Sequence, residues 1–222
     1  MMARGRDSPA QMLHHSPDLQ STFKYICSEL QPNQRALTNL RAAKHRFESF
    51  QKPLGRTVRL FSCVHTLMVK VAIERNDAQG GRARGWLEWL SARNVLMAAM
   101  LADAADEASA LLRFCDDEQM DSAKLNSHIY TFLRRVTDLF GEKQLCLQCP
   151  GYTTYCLEYL QQPLVWVVRG KVASLAAPTA DDIGFCMSHM RMWLKLADAE
   201  LRCEFPDFEV AQAEQIQFRY MC

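Results

Sequence analysis

Two short cysteine motifs carry the residue types of a metal site. Cys146 and Cys149 are separated by two residues, and Cys186 and His189 have the same separation. This spacing lets both members of a pair reach one tetrahedral ion, and thiolate with imidazole suits zinc. The pattern therefore predicts a zinc site made by these four residues. The alternative is that Cys186 is a core residue beside an apolar helical stripe while His189 points to solvent or to a neighbouring helix.

Acidic residues cluster at two places where a magnesium ion could bind. Asp116, Asp117 and Glu118 follow one predicted helix, and Asp181 and Asp182 begin another. Paired aspartates hold diphosphate-bound magnesium in isoprenoid synthases, so a small helical magnesium-dependent enzyme is one alternative. Carboxylates are also favoured in the first turn of a helix without any metal, because the helix dipole is positive there.

One local run of basic residues could contact phosphates. Arg41, Lys44 and Arg46 lie in a predicted helix, where Arg41 and Lys44 share a face with His45. These residues are the candidates for a nucleic-acid contact, and a merely solvated helix face is the alternative. The formal charge of the whole chain is only +1. Composition therefore provides no wider electrostatic case for nucleic-acid binding.

Trp86 and Trp89 lie three residues apart, on neighbouring positions of one predicted helix face. Large aromatic side chains placed in this way either anchor the helix in the core or form an exposed hot spot for a partner protein. Leu90 and Leu96 continue the apolar character of this region, which favours the core position. Both tryptophans remain candidates for a partner-binding site.

Helices are the elements that must position all of these residues. Apolar residues recur at spacings of three and four along much of the chain, most clearly over 125–140 and 183–201. The predicted fold class is therefore mainly α, a multi-helix bundle. The two strongest apolar stripes place the following residues in its core: Phe132, Val136, Met187, Met190 and Leu194.

Prolines, glycines and polar runs predict the segment boundaries. Residues 1–17 are predicted to be a disordered tail, 18–75 an N-terminal helical segment, and 82–222 a helical domain. Residues 76–81 are predicted to be a loop or hinge. Pro53 and Gly55 are expected to end a helix that begins at Asn33. Residues 152–175 are a further helical candidate, which Pro163 divides into two shorter elements.

Three predicted helix starts depend on polar capping residues. Asp18 is expected to cap the first helix, and Asp121 or Ser122 a later one. Thr179 and Asp182 have the spacing of a capping box, in which each side chain bonds the backbone N–H of the other.

Length and composition exclude several classes of protein. The chain has 222 residues, of which 49% are apolar, so it is long enough for a sizeable core and is not disordered throughout. The polar N-terminus lacks the apolar segment of a signal peptide, and no apolar run is long enough to cross a bilayer. We therefore expect an intracellular protein, in the nucleus or cytoplasm, whose nine cysteines are reduced.

A series of short motifs resembles domesticated hAT-superfamily transposases, especially the transposase-like half of the general transcription factor II-I repeat-domain-containing proteins. The motifs lie between residues 60 and 210, with Glu88 where the family usually has a basic residue and Cys149 where it has glycine. Cys63-Val-His65 is similar to the family's Cys-x-x-His element, one residue shorter. The other motifs are Trp89-Leu-Ser91, Val95-Leu96, Phe132-Leu133 with Val136-Thr137, Leu145-x-Leu147-Gln148 and Leu201 to Phe208.

This resemblance implies that the chain is the helical insertion region of a degraded RNase H-like transposase. Active members need three acidic residues on a sheet, and the matching region has no counterpart for the first two. The implied function is that of a non-catalytic helical interaction module that acts by binding a partner protein. The alternatives are a zinc-stabilised regulatory or nucleic-acid-binding protein and a small helical magnesium-dependent enzyme.

Overall fold

α-Helices account for most of the described chain, as the sequence predicts. The computed structural model describes residues 8–31, 40, 48–117, 119 and 121–205. A 3-10 turn, Leu145–Leu147, precedes α8, and the strands β1, Leu164–Val168, and β2, Lys171–Leu175, form an antiparallel hairpin. The helices are α1 Pro9–His14, α2 Pro17–Leu30, α3 Glu48–Arg59, α4 Phe61–Glu74, α5 Ala78–Trp89, α6 Ala92–Cys115, α7 Ser122–Phe140, α8 Tyr152–Tyr159 and α9 Ala180–Glu204.

Short polar side chains determine where several helices begin. The Thr179 hydroxyl accepts a hydrogen bond from the Asp182 N–H, and the Asp182 carboxylate accepts one from the Thr179 N–H, so the predicted capping box is confirmed. Asp121 caps α7 by accepting from the Ala123 N–H. Asp18 does not cap α2, however. Ser16 accepts from the Leu19 N–H instead, because Pro17 already occupies the first helical position.

The helix α6 lies between two clusters of buried side chains and contributes to both. It packs against α3 and α8 on one side and against α7 and α9 on the other. The alanine-rich centre of α6 permits these close approaches, because small side chains let helices come near one another. Helix α4 packs against α5, so contacts cross the predicted boundary between residues 75 and 82.

The predicted core residues lie in the second cluster, between α6, α7 and α9. Phe132, Val136, Met187 and Met190 are buried, as predicted, and Leu194 is only partly buried at the edge of this cluster. The first cluster collects side chains from α1 to α6, from α8 and from the hairpin. Its large members include Phe23, Leu67, Met68, Trp86 and Trp166.

The prediction of a disordered tail is wrong for residues 8–17. Pro9–His14 form α1, whose Ser8 cap accepts a hydrogen bond from the Gln11 N–H, and Met12 and Leu13 are buried in the first cluster. Residues 1–7 lie outside the described residues. The apolar residues of α1 span little more than one turn, which is too few to show helical periodicity in the sequence. Its contacts with the rest of the fold are what identify this helix.

Two predicted helix breaks are also wrong. Pro53 lies inside α3, and Gly55 faces Tyr152 of α8 so closely that a Cβ there would stand 2.4 Å from the tyrosine oxygen. Helix α5 begins at Ala78, inside the predicted loop 76–81, because the Asp77 carboxylate caps it. Most of the helix predicted from Asn33 lies outside the described residues.

Residues 152–175 are divided at Pro163 as expected, but the second element is a β-hairpin and not a helix. Val165, Val167 and Val172 favour extended backbone because they branch at Cβ. The connecting pair, Arg169 and Gly170, has φ angles of 51° and 73°. Positive φ at both positions is the requirement of a tight hairpin turn whose twist matches that of the strands. Within the described part of the chain, every helix is too short or too polar to span a membrane.

Candidate functional site

A groove of about 540 Å³ separates α5 from the β-hairpin. One wall is the exposed side of α5, and the other is formed by the two strands and the turn that joins them. The lining residues are Gly81, Arg84, Gly85, Leu87 and Glu88 from α5, and Trp166, Val168, Arg169, Lys171, Val172 and Ala173 from the hairpin. The site therefore joins elements that are about eighty residues apart in the sequence.

The helical wall contains two glycines that the packing does not require. Gly80 is obligatory, since a Cβ there would lie 1.9 Å from the Arg75 carbonyl oxygen. A Cβ at Gly85 would contact nothing within 4 Å, and one at Gly81 would only reach the end of the Arg84 side chain at 4.0 Å. Each glycine inside a helix costs about 1 kcal/mol relative to alanine. These two positions thus leave bare backbone facing the groove. The loss of helix stability relative to alanine is not compensated by any close contact that needs a glycine.

Trp166 connects the hairpin wall to the core. Its side chain is buried, and its ring meets the His65 ring edge to face with centroids 4.8 Å apart. Phe61 lies between His65 and Trp86, with centroid distances of 6.2 Å and 6.3 Å respectively. This aromatic cluster of Phe61, His65, Trp86 and Trp166 holds the hairpin wall in place, so the groove has a rigid apolar side.

The imidazole of His65 is neutral. It is 7% exposed, and burial lowers its pKa to about 4. In the described part of the chain neither His65 Nε2 nor Trp86 Nε1 has a hydrogen-bond partner. The cluster therefore contributes no charge to the groove at neutral pH, because burial of the imidazole penalises its charged form.

The rim of the groove is cationic. Arg84 donates to the carbonyl oxygens of Ala72 and Arg75, both at 3.1 Å, and so stays fixed at the end of α4. Arg169 donates to Asn76 Oδ1 at 3.0 Å. With Lys171, three cationic side chains line the groove against the single carboxylate of Glu88 among the described residues. Hence the arrangement favours an anionic ligand that also carries apolar surface.

The four residues of the predicted zinc site do not converge. The Cys146 thiol is buried 3.7 Å from the Met187 sulfur, and the Cys186 thiol donates to the Arg93 carbonyl oxygen at 3.5 Å. Cys149 is exposed. Within the described residues no three His, Cys, Asp or Glu side chains are grouped to hold a metal ion. The alternative interpretation of Cys186 as a core residue is therefore confirmed.

His189 lies on the exposed surface of α9, whereas Cys146 and Cys186 are buried. Its Nδ1 atom is 2.9 Å from the Phe185 carbonyl oxygen, one turn back in the same helix. Cys63 and His65, the residues of the motif similar to the family's Cys-x-x-His element, are both buried in α4. A hydrogen bond from the Cys27 thiol lowers the pKa of Cys63, so this cysteine is paired with α2.

Two residues of the predicted acidic clusters lie at helix ends, Asp182 in the first turn of α9 and Asp116 as the C-cap of α6. Asp182 belongs to the α9 capping box, and it also accepts from Arg93 Nε at 2.9 Å. These contacts, first of all the Thr179 N–H, lower the pKa of Asp182. Asp117 accepts from the Gln119 N–H just after α6, and Glu118 lies outside the described residues.

The candidate nucleic-acid residues Arg41, Lys44 and Arg46 lie outside the described residues. Of the candidate partner-binding tryptophans, Trp86 is buried in the aromatic cluster and Trp89 is partly buried against the same core. Trp86 therefore anchors α5 and offers no exposed hot spot. The groove beside it was not predicted, although Gly81 and Gly85 within a helical segment were a visible signal.

The Trp89-Leu90-Ser91 motif of the transposase resemblance forms the junction between α5 and α6. The Ser91 hydroxyl accepts from the Asn94 N–H at 3.2 Å, and the Asn94 side chain donates to the Trp89 carbonyl oxygen at 2.8 Å. Local capping thus accounts for the polar residue of this motif. Comparisons with known proteins found no matching family model, curated protein or solved structure.

Proposed function

We propose that this protein is a non-catalytic interaction module that binds a partner protein in the groove between α5 and the β-hairpin. The observation that carries the proposal is the bare backbone of Gly81 and Gly85 on one wall. A partner chain can approach a glycine-lined helix more closely than any other helical surface. On the opposite wall, Trp166 and Val168 supply apolar contact area.

The chemistry of the lining selects an acidic segment with an apolar anchor. Arg84, Arg169 and Lys171 outnumber the one carboxylate, so acidic residues on the partner gain favourable electrostatic interactions at the rim. Leu87 and Val172, which both line the groove, provide apolar contacts for a side chain of the partner. A volume of about 540 Å³ accommodates a few side chains, which suits a short extended segment and not a folded domain.

Descent from a domesticated hAT transposase belongs to this proposal. Its support is the series of motifs from Trp89-Leu-Ser91 to the Leu201 segment. With this origin, the chain keeps a helical scaffold without strand-transfer activity, and it acts by binding a partner protein.

Filling the groove tests the proposal. Gly85→Leu places a side chain in the open space of the groove, and Gly184→Leu places the same side chain in open space on α9 as the matched control. The probes are fluorescent peptides with one Trp or Leu flanked by Asp and Glu, the same peptides with Lys replacing the acids, and single-stranded DNA. Fluorescence anisotropy measures the affinity of each.

We expect the acidic peptides to bind the wild-type protein and the Gly184→Leu variant but not the Gly85→Leu variant. The lysine peptides should bind none of the three, because the rim repels them. Acidic-peptide binding that is insensitive to Gly85→Leu would place the site elsewhere. If only the DNA binds, and its binding is lost in the Gly85→Leu variant, then the ligand of the groove is a nucleic acid and not a protein.

A further inference from the structure

The solvent-facing side of α9 carries an uninterrupted heptad seam. Successive members lie four, three, four, three and four residues apart, which is the spacing of the contact positions in a coiled coil. Every member is exposed, and all but His189 are apolar. The seam consists of Phe185, His189, Met192, Leu196, Ala199 and Cys203.

Within the described residues, the packing of α9 does not use this seam. Helix α9 already buries Met187 and Met190 on its inner side, against α6 and α7. Met192 and Leu196 nonetheless remain 66% and 59% exposed. Phe185 is covered on one side by the Arg93 guanidinium, which lies 4.3 Å from the ring centroid. A surface helix of a single domain requires one apolar stripe, and this helix has two.

We propose that a second copy of this chain packs against the seam, forming a parallel, in-register coiled coil of two α9 helices. Charged residues beside the seam indicate a second copy of this chain as the partner that covers it. Lys195 directly precedes the seam residue Leu196, and Glu200 directly follows the seam residue Ala199. In a parallel coiled coil, a residue placed as Lys195 is, just before a contact position, faces the residue five places later in the partner helix. Lys195 therefore meets Glu200 of the partner subunit, twice by symmetry.

The opposite orientation lacks this complementarity. An antiparallel pair that joined the same seam residues would bring Lys195 against Lys195 of the partner subunit. Like charges in such positions destabilise the pair. Lys195 and Glu200 are both exposed, so they are accessible to a second copy.

Cys203 makes the two orientations distinguishable. It is the last seam member and is exposed. In the parallel pair the two Cys203 thiols face each other. In the antiparallel pair Cys203 lies opposite Phe185, and the two thiols are separated by about 27 Å at 1.5 Å per residue.

Crosslinking with diamide tests the orientation in a full-length variant in which Cys115, Cys149 and Cys222 are replaced by Ser. A disulfide forms when two thiols give two protons and two electrons to diamide, which is reduced to its hydrazine. We expect a covalent dimer on non-reducing gels, and its loss when Cys203→Ser is added. A non-covalent dimer without this crosslink would overturn the parallel arrangement.

Sedimentation tests the seam itself. Leu196→Glu should convert the dimer to a monomer without changing the far-ultraviolet circular dichroism, because Leu196 is exposed in the single chain. Ile73→Glu, at an exposed apolar residue of α4, is the matched control and should leave the dimer intact. A wild-type monomer, or a dimer insensitive to Leu196→Glu, would overturn the proposal.

Charge exchange tests the pairing. Lys195→Glu should weaken the dimer, and adding Glu200→Lys in the same chain should restore it, since the pair is then formed with reversed signs. A dimer strengthened by Lys195→Glu alone would contradict the parallel arrangement. None of these variants touches the groove between α5 and the hairpin, so this inference and the proposed function fail independently.

Discussion

The carboxylate of Asp103 in α6 accepts a hydrogen bond from the Thr153 hydroxyl at 2.6 Å. It also accepts from the backbone N–H groups of Tyr152 and Thr153, at 2.8 Å and 2.9 Å. One side chain of the central helix thus caps α8, whose own N-cap residue, Gly151, has no side chain to do so. Burial raises the pKa of Asp103, while the three donors act to lower it.

Removing this cap should destabilise the protein. We expect Asp103→Asn to lower the free energy of unfolding by about 2–3 kcal/mol, because an amide offers fewer acceptors to the three donors. Glu158→Gln, at an exposed position of α8, is the control and should change it by less than about 0.5 kcal/mol. Urea denaturation followed by circular dichroism measures both. Equal effects of the two substitutions would show that Asp103 is not the cap.

Two glycine-to-alanine substitutions should have opposite signs. A Cβ at Gly151 would lie 2.8 Å from Asp103 Oδ1 and displace the cap, so Gly151→Ala should lower the melting temperature. Gly85→Ala adds a methyl group to open space in α5 and should stabilise by about 0.5–1 kcal/mol through helix propensity. Differential scanning calorimetry measures both. A destabilising Gly85→Ala would mean that the helical wall of the groove is packed after all.

Stability should fall as the pH decreases from about 6.5 to about 4, because burial lowers the pKa of His65 to about 4. In this range the unfolded chain binds a proton at His65 and the folded chain does not, so acid favours unfolding. The decrease in the free energy of unfolding that comes from His65 should reach roughly 3 kcal/mol.

His65→Phe should remove this part of the pH dependence and preserve the ring contacts with Phe61 and Trp166. Urea titrations at several pH values measure this dependence. An unchanged pH profile in His65→Phe would contradict the assignment.

The two cysteines of the predicted Cys146-x-x-Cys149 pair should behave differently. Cys146→Ser buries a hydroxyl beside Met187 and should destabilise by about 1–3 kcal/mol. Cys149→Ser, at an exposed position, should have little effect. Zinc coordination would instead make both substitutions equally harmful and would appear in metal analysis of the purified protein.

Local patterns were sufficient to predict most of the helices and some of their ends. The capping box of Thr179 and Asp182 involves residues three apart, and the inner stripe of α9 follows from helical geometry alone. Such features depend on neighbours in the sequence, so the sequence contains the whole interaction. The seam of α9 is also a local spacing pattern, although it was not predicted from the sequence, and its exposure depends on how the inner stripe packs against α6 and α7.

The sequence by itself determined a mainly helical chain with two strong apolar stripes and the N-terminal caps of α7 and α9. Only the tertiary structure decided that residues 8–17 pack, that Cys146 and Cys186 are core residues, and that α5 faces a hairpin across a groove. The reason is physical. The cap of Asp103 on Thr153 and the groove of Gly85 and Trp166 join residues separated by fifty to eighty positions, and their meeting depends on the packing of every helix between them.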